Sequence, residues 1–275
     1  VDDHILIERV AALSAELGSL VAERLARLAL LESEFQTAVE TAKLDALKEF
    51  AYGASHEINN PLANISARAQ TLLQDERDPE RRRRLAAINS QAFRAHEMIA
   101  DMMLFARPPR MERRDVDLAA LVGSLIDEMS DAAAAQHTQL LRKGAEEPAT
   151  ASVDPVHLRV AIKSLVTNSL QALAEGGRTE IEIRRASSRA KSRPTAASEM
   201  VEILVSDTGP GIRPEIRAHI FDPFFSGREA GRGLGMGLPK CWRIIREHGG
   251  QIDVESLEGR GATFKITLPT SKPSE

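Results

Sequence analysis

Gly231-Arg232-Gly233-Leu234-Gly235-Met236-Gly237-Leu238 is the stretch on which the fold turns. Glycine stands at every second position, and the run feeds a helical pattern over Leu238–His248. Such a loop aims several backbone N–H groups and a helix N-terminus at phosphates. Leucine and methionine fill the alternate positions where a flexible linker carries serine. The run lies near the C-terminus, so it does not open a first βαβ unit, which excludes a Rossmann reading. No G-K-[ST] occurs, which excludes Walker A.

Working outward, Phe221-Asp222-Pro223-Phe224-Phe225 holds three of the eight phenylalanines and suits the anchor of a lid. Asp207-Thr208-Gly209-Pro210-Gly211 follows the β-rich run Val201–Val205. A carboxylate at a strand end, with glycines permitting close approach, suits a base or ribose donor such as an adenine amino group, although an Asx turn has the same pattern. Asn168 is set among Leu165, Val166 and Leu170 in a helical run Val156–Ala174. A polar amide there needs a partner, and magnesium bridging phosphates would serve.

Around these motifs the spacing predicts helices from Asp117 to about Ala134 and from Asp154 to about Ala174. Strands are expected at Thr179–Arg185, Met200–Ser206, Gln251–Glu255 and Thr263–Leu268. This is the pattern of an α/β sandwich, with helices over one face of a mixed sheet. Ala186–Ser198, rich in Ser, Ala, Arg and Lys, is expected to be a mobile insertion.

The first ~105 residues read differently, as helix almost throughout. Val10, Leu13, Leu17, Leu20, Val21, Leu25, Leu28, Phe35 and Val39 follow a coiled-coil spacing with a phase slip near Leu20. The stripe continues through Ala54, Ile58, Leu62, Ile65, Ala69 and Leu72. Asp78-Pro79 reads as an N-cap with proline at the first helical position, and Arg107-Pro108-Pro109 stops the second helix. Two helices bury too little alone, so a second copy completing a four-helix bundle is expected. Arg81–Arg84 reads as a solvated face.

His56-Glu57-Ile58-Asn59-Asn60-Pro61-Leu62 sits on the first helix. At ~100° per residue His56 lies about 200° from Ala54, which points it away from the bundle core. Glu57 can take the proton of one ring nitrogen, making the other a better nucleophile. Asn60, one turn on, can position a water beside that ring. Pro61 deprives the Glu57 carbonyl of its helical hydrogen bond, a cost with little structural justification.

Composition sets the frame. The 275 residues are 43% hydrophobic and only 4% aromatic, with a net charge of −4 and one cysteine, Cys241. A disulfide framework, a cysteine zinc site and a nucleic-acid partner are excluded as the main reading. No apolar run reaches the ~20 residues of a membrane helix, and no signal peptide is read. A cytoplasmic location without membrane contact is therefore expected, and the opening Val1 suggests a piece of something longer.

In that order, the His56 segment, Asn168, the 207–211 motif, Phe221–Phe225, the alternating glycines and Gly259-Arg260-Gly261-Ala262-Thr263-Phe264 resemble the H, N, G1, F, G2 and terminal glycine boxes of a two-component sensor histidine kinase. The resemblance spans about Leu44 to Pro269. It implies a coiled-coil signalling helix (1–43), a dimerisation and histidine-phosphotransfer hairpin (44–107), a linker (108–112), an ATP-binding catalytic domain of the Bergerat type (113–270) and a tail (271–275). His56 would be autophosphorylated, Glu57 its acid–base partner, and Asn60 the water-positioning residue for dephosphorylating a response regulator. Asn168 would hold Mg2+, and Asp207 the adenine amino group, with Gly209 and Gly211 shaping the pocket. Phe225, Arg232, Gly233, Leu234, Gly235, Gly237, Leu238 and Thr263 would complete the ATP site. The implied partners are a second copy and a receiver domain.

The sequence departs from the family at Ser164, where Asn, His or Glu is frequent, and at Gln171, where Lys is frequent. Arg228 and Arg232 become candidates for the γ-phosphate. A gyrase- or chaperone-like ATP hydrolase is a rival, but Ser164 cannot act as its carboxylate base. A catalytically silent dimeric scaffold is a second rival.

Overall fold

The computed structural model describes the backbone of residues 2–144, 149–185, 200–227 and 235–270, and side chains there except at 2–12, 15, 36–37, 40, 43–44, 47, 50–52 and 54–56. The insertion expected at Ala186–Ser198 lies outside these residues, as do Arg228, Arg232, Gly233 and Leu234. The described chain forms two compact units, residues 1–56 and 57–275.

Helix α1 (Asp2–Asp75) is continuous and runs through Pro61. In the first unit Leu13, Leu17, Leu20, Val21, Leu25, Leu28 and Phe35 are exposed, so the heptad-like stripe has no cover within one copy.

In the second unit the end of α1 forms a hairpin with α2 (Pro79–Ala106). Asp78 caps α2 by accepting from the Arg81 amide at 2.8 Å, with Pro79 in the first turn. Arg82 has a task beyond the solvated face expected of its run. Its guanidinium donates to the carbonyls of Leu73 and Glu76, both at 2.8 Å, which satisfies the open end of α1. Two polar pairs fix the hairpin register. The Ser66 hydroxyl donates to Asn89 Oδ1 at 2.7 Å, and Asn59 Oδ1 meets His96 Nδ1 at 3.0 Å. The pairs lie seven residues apart on each helix, so they recur on one face. Ala69 and Ala92 are buried, whereas Ile58, Ile65, Leu72 and Ile88 remain exposed. Leu62, Ile65, Ala87, Ile88, Gln91 and Ala92 line an open groove of about 410 Å³.

After the tether come β1 (Arg114–Asp117), α3 (Leu118–Ala135), β2 (Gln139–Lys143), β3 (Thr150–Val153), α4 (Pro155–Leu173), β4 (Arg178–Arg185), β5 (Met200–Asp207), the one-turn α5 (Pro214–Arg217), α6 (Gly237–Glu247), β6 (Gln251–Ser256) and β7 (Ala262–Pro269). The larger sheet has the order β2-β4-β5-β7-β6, with β2 parallel to β4 and the other neighbours antiparallel. β1 and β3 form a separate antiparallel pair.

Strict alternation of burial along β5 and β7 gives the sheet one apolar face. Ile181, Ile203, Val205, Phe264 and Ile266 on that face pack with Leu118, Leu125, Leu158, Ile162, Leu165 and Ile245 of the helices. Each such large side chain contributes ~1.5–3 kcal/mol by leaving water. The four expected strands and two expected helices are present within one or two residues. The strands β1, β2 and β3 were not expected. They are short and lie at sheet edges; β1 and β2 are largely exposed, and β3 alternates over four residues only, too few to mark a period. Cys241 is buried, and burial pushes its thiol up to about 12, so it behaves as a core residue. Among the described residues no helix is long and apolar enough to cross a membrane.

Candidate nucleotide and phosphoacceptor sites

The candidate nucleotide site is built from the end of β5. Asp207 is buried, and its Oδ1 accepts from the amides of Gly209 at 2.9 Å and Ala262 at 3.3 Å. Oδ2 accepts from the Ser169 hydroxyl at 3.3 Å. Three donors thus hold one carboxylate in one orientation, as hydrogen-bond accounting demands of a buried acid. The glycines explain the crowding. A Cβ on Gly261 would overlap the Asp207 carbonyl oxygen, and one on Gly211 would overlap the Leu257 carbonyl oxygen. Gly211 and Gly261 also have φ of 73° and 83°, where side chains are strained. The β5 turn and the β6–β7 turn therefore pack backbone to backbone, and Gly259 N–H to the Pro210 carbonyl closes them at 2.7 Å.

Thr179 stands directly opposite Asp207 in the β4–β5 ladder. Its hydroxyl is buried and lacks a hydrogen-bond partner, the one such side-chain atom among the described residues. An orphaned hydroxyl beside a fixed carboxylate fits a ligand with its own polar edge, such as a purine base, or a water that accompanies it. The Thr263 hydroxyl is shared with Ser206 at 2.9 Å, tying β7 to β5.

Helix α4 borders this site through Ser169. Asp154 caps it, accepting from the amides of Val156 and His157, and also from Glu112 of the tether at 2.8 Å. Burial works to raise this carboxyl, but those donors prevail and hold it below the usual carboxylate range. Asn168 is half-buried on α4, directly before Ser169 in the chain. Among the described residues no three His, Cys, Asp or Glu side chains gather into a metal cage. One amide fits a magnesium that arrives with most of its ligands on phosphate and water. Ser164 donates back to the Val160 carbonyl at 2.9 Å, so its hydroxyl serves the helix.

The F segment and the end of the glycine loop meet closely. A Cβ on Gly235 (φ 69°) would overlap the Phe225 carbonyl oxygen. Phe224 itself has φ 65°, a strained state for an aromatic residue. Phe221, Phe225 and Leu238 pack against the core, and the His219 ring lies 5.7 Å from that of Phe225. Gly237 opens α6 with space around it. Whereas α2, α3 and α4 each carry an Asp cap, the N-cap of α6, Met236, makes no side-chain cap bond, an arrangement that suits an anion at a helix N-terminus.

On the hairpin, Glu57 and Asn60 are exposed. His56 lies in the α1 backbone, and its expected outward orientation falls outside the described side chains. The sequence reading missed Ser169 and Thr179, which touch or face Asp207. Their signals in the sequence are faint: Ser169 closes the polar triplet Thr167-Asn168-Ser169, and Thr179 stands between Arg178 and Glu180, in phase with Ile181 and Ile183.

Comparison with known proteins finds two domain families along the chain. Residues 46–110 match the His Kinase A (phospho-acceptor) domain. Residues 153–272 match the histidine kinase-, DNA gyrase B- and HSP90-like ATPase domain. The chain belongs to the two-component sensor histidine kinases. It is 31% identical over 255 residues to the sensor protein FixL of Bradyrhizobium diazoefficiens, covering 90% of this chain and 47% of that protein. It is 29% identical to the signal transduction histidine-protein kinase AtoS of Escherichia coli, covering 84% of this chain and 36% of that protein. The chain thus spans less than half the length of these two relatives. Among solved structures, full-length ShkA in complex with AMPPNP has a TM-score of 0.68 at 23% identity, covering 82% of this chain and 47% of that one. The histidine kinase ThkA in complex with the response regulator TrrA has a TM-score of 0.59 at 22% identity, covering 84% of this chain and 64% of that one. Both show the shared histidine kinase fold.

Proposed function

We infer that this chain is a kinase core that uses ATP to phosphorylate His56 and then passes the phosphoryl group to an aspartate of a response regulator receiver domain. The observation that carries the reading is the buried Asp207 carboxylate, held by Gly209, Ala262 and Ser169 beside the orphaned Thr179 hydroxyl, in a chain that also bears the H-E-x-x-N-P helix. The AMPPNP in ShkA and the regulator bound to ThkA support the same two ligands here.

Asp207 accepts from the adenine amino group, with Gly209 and Gly211 shaping its pocket. Gly233, Gly235 and Gly237 and the open end of α6 hold the phosphates, and Phe225, Arg232, Leu234, Leu238 and Thr263 complete the walls. Asn168 holds magnesium, which when bound neutralises phosphate charge. A His56 ring nitrogen attacks the γ-phosphorus, the bond to the β-phosphate bridging oxygen breaks, and ADP leaves. Glu57 takes the proton from the other ring nitrogen and so favours the nucleophilic tautomer. Asn60 orients water when regulator phosphate is removed. Two copies pair through the hairpin as a four-helix bundle in the cytoplasm. The working domains are 1–43, 44–107 with linker 108–112, and 113–270 with tail 271–275.

Incubation with γ-labelled ATP and magnesium tests the reading. The expected result is acid-labile, alkali-stable label on the protein that passes to a receiver domain. Free phosphate without labelled protein means a hydrolase, and neither means a silent scaffold. Asn60→Ala is expected to slow regulator dephosphorylation more than autophosphorylation, and equal losses would remove its phosphatase role.

A further inference from the structure

Helix α6, which begins where the phosphate loop ends, is fastened to the hairpin by side chains that the reaction scheme leaves unused. Lys240, in its first turn, has a side chain only 10% exposed and forms an ion pair with Asp101 of α2. One turn further along each helix, the Arg243 guanidinium lies 5.5 Å over the Phe105 ring. Asp101 and Phe105 share one face of α2, and Lys240 and Arg243 share one face of α6, so the two contacts form a single seam. Leu104 of α2 also packs against the core of the nucleotide domain.

The height of the seam matters. In the register set by Asn59–His96 and Ser66–Asn89, Glu57 stands level with Met98 on α2. Asp101 lies three residues beyond, about 4.5 Å along the axis at ~1.5 Å per residue. Lys240 follows Gly237 by three residues, so it stands one turn from the phosphate-binding end of the loop. The pair therefore joins the level of the acceptor segment to the phosphate end of the nucleotide domain. A lysine this desolvated is costly without its counter-ion, so the seam closes in one register in which Asp101 meets it.

We propose that Asp101 and Lys240 are positioning residues for phosphoryl transfer: their ion pair, backed by Arg243 on Phe105, docks the nucleotide domain at the acceptor's height. This rests on the kinase reading above. Neither residue touches the reacting atoms; the pair acts by raising the effective concentration of bound ATP at the hairpin.

The test compares the full chain with Asp101→Lys, Lys240→Asp, the double exchange, and the milder Asp101→Asn. Initial rates of His56 labelling are measured against ATP concentration, and tryptic cleavage is followed after Arg110 within the tether and Arg113 at its end. The single charge reversals are expected to lower the maximal rate about tenfold or more with the half-saturating ATP concentration unchanged, and to speed cleavage of the tether. The double exchange restores both, and Asp101→Asn falls between, which covers the case that Lys240→Asp folds poorly. Single variants that label as fast as the parent or faster overturn the proposal, as does a loss confined to ATP affinity or a double exchange that rescues nothing. If the parent chain takes no label, the kinase reading itself has failed and the positioning role falls with it. Label on the parent together with unaffected variants sinks the ion pair alone.

Discussion

At the scale of single residues, the glycines near Asp207 differ sharply in what they tolerate. Gly261 faces the Asp207 carbonyl at positive φ, whereas Gly237 opens α6 into free space. Gly261→Ala is expected to destabilise the nucleotide domain by about 2–4 kcal/mol, because backbone must shift to admit a methyl group. Gly237→Ala is expected to stay within about 0.5 kcal/mol in the nucleotide-free protein. Denaturant melts of the two variants check this, and equal losses would contradict it. Asp207 and the glycines were legible in the sequence because close backbone approach has few chemical solutions. Ser169 and Thr179 were not, since a single hydroxyl has the same signature whether it aims at a carboxylate or at its own helix, as Ser164 does.

Among the elements, α6 and α4 are coupled through a buried imidazole. His248 Nδ1 donates to the Ile244 carbonyl at 2.7 Å, and its Nε2 accepts from the Asp154 amide at 3.0 Å. Both nitrogens are committed to the neutral ring. Burial depresses the His248 pKa, and the Arg113 and His157 charges add to this against the opposing Ile244 carbonyl and Asp154 carboxylate. A depressed histidine keeps its stabilising effect above its unfolded pKa of ~6.5. As pH falls below that value, the unfolded chain takes a proton that the folded chain refuses. Stability then declines by up to ~1.4 kcal/mol per pH unit until the folded pKa is reached. Urea titrations from pH 7.5 to 5 are expected to show this decline, and His248→Gln should flatten it while lowering stability at pH 7.5. An unchanged slope would contradict the coupling. Element legibility followed burial. The strands β5 and β7 alternate strictly and were readable, whereas β2, at the sheet edge, shows no period. The β1–β3 pair was hidden because each strand is only four residues long.

For the whole molecule, the hairpin groove of Leu62, Ile65, Ala87 and Ile88 and the exposed stripe of Leu13 to Phe35 lie on units that each leave apolar surface uncovered. Pairing with a second copy covers both kinds of surface. Sedimentation of the full chain is expected to give a dimer, and Ile65→Asp with Ile88→Asp should shift it towards monomer and reduce labelling. A variant that remains fully dimeric would place the interface elsewhere. The order of the motifs made the phosphoacceptor and ATPase family regions readable, while the seam between α2 and α6 escaped notice because Asp101 and Lys240 are 139 residues apart.

The most direct measurement is the location of the phosphoryl group after reaction with ATP, by mass spectrometry at neutral to alkaline pH. The account predicts one phosphoramidate on the ring of His56, dependent on magnesium and absent from His56→Gln protein that still binds nucleotide. A phosphoryl group on another residue, or one that persists in His56→Gln, would contradict it.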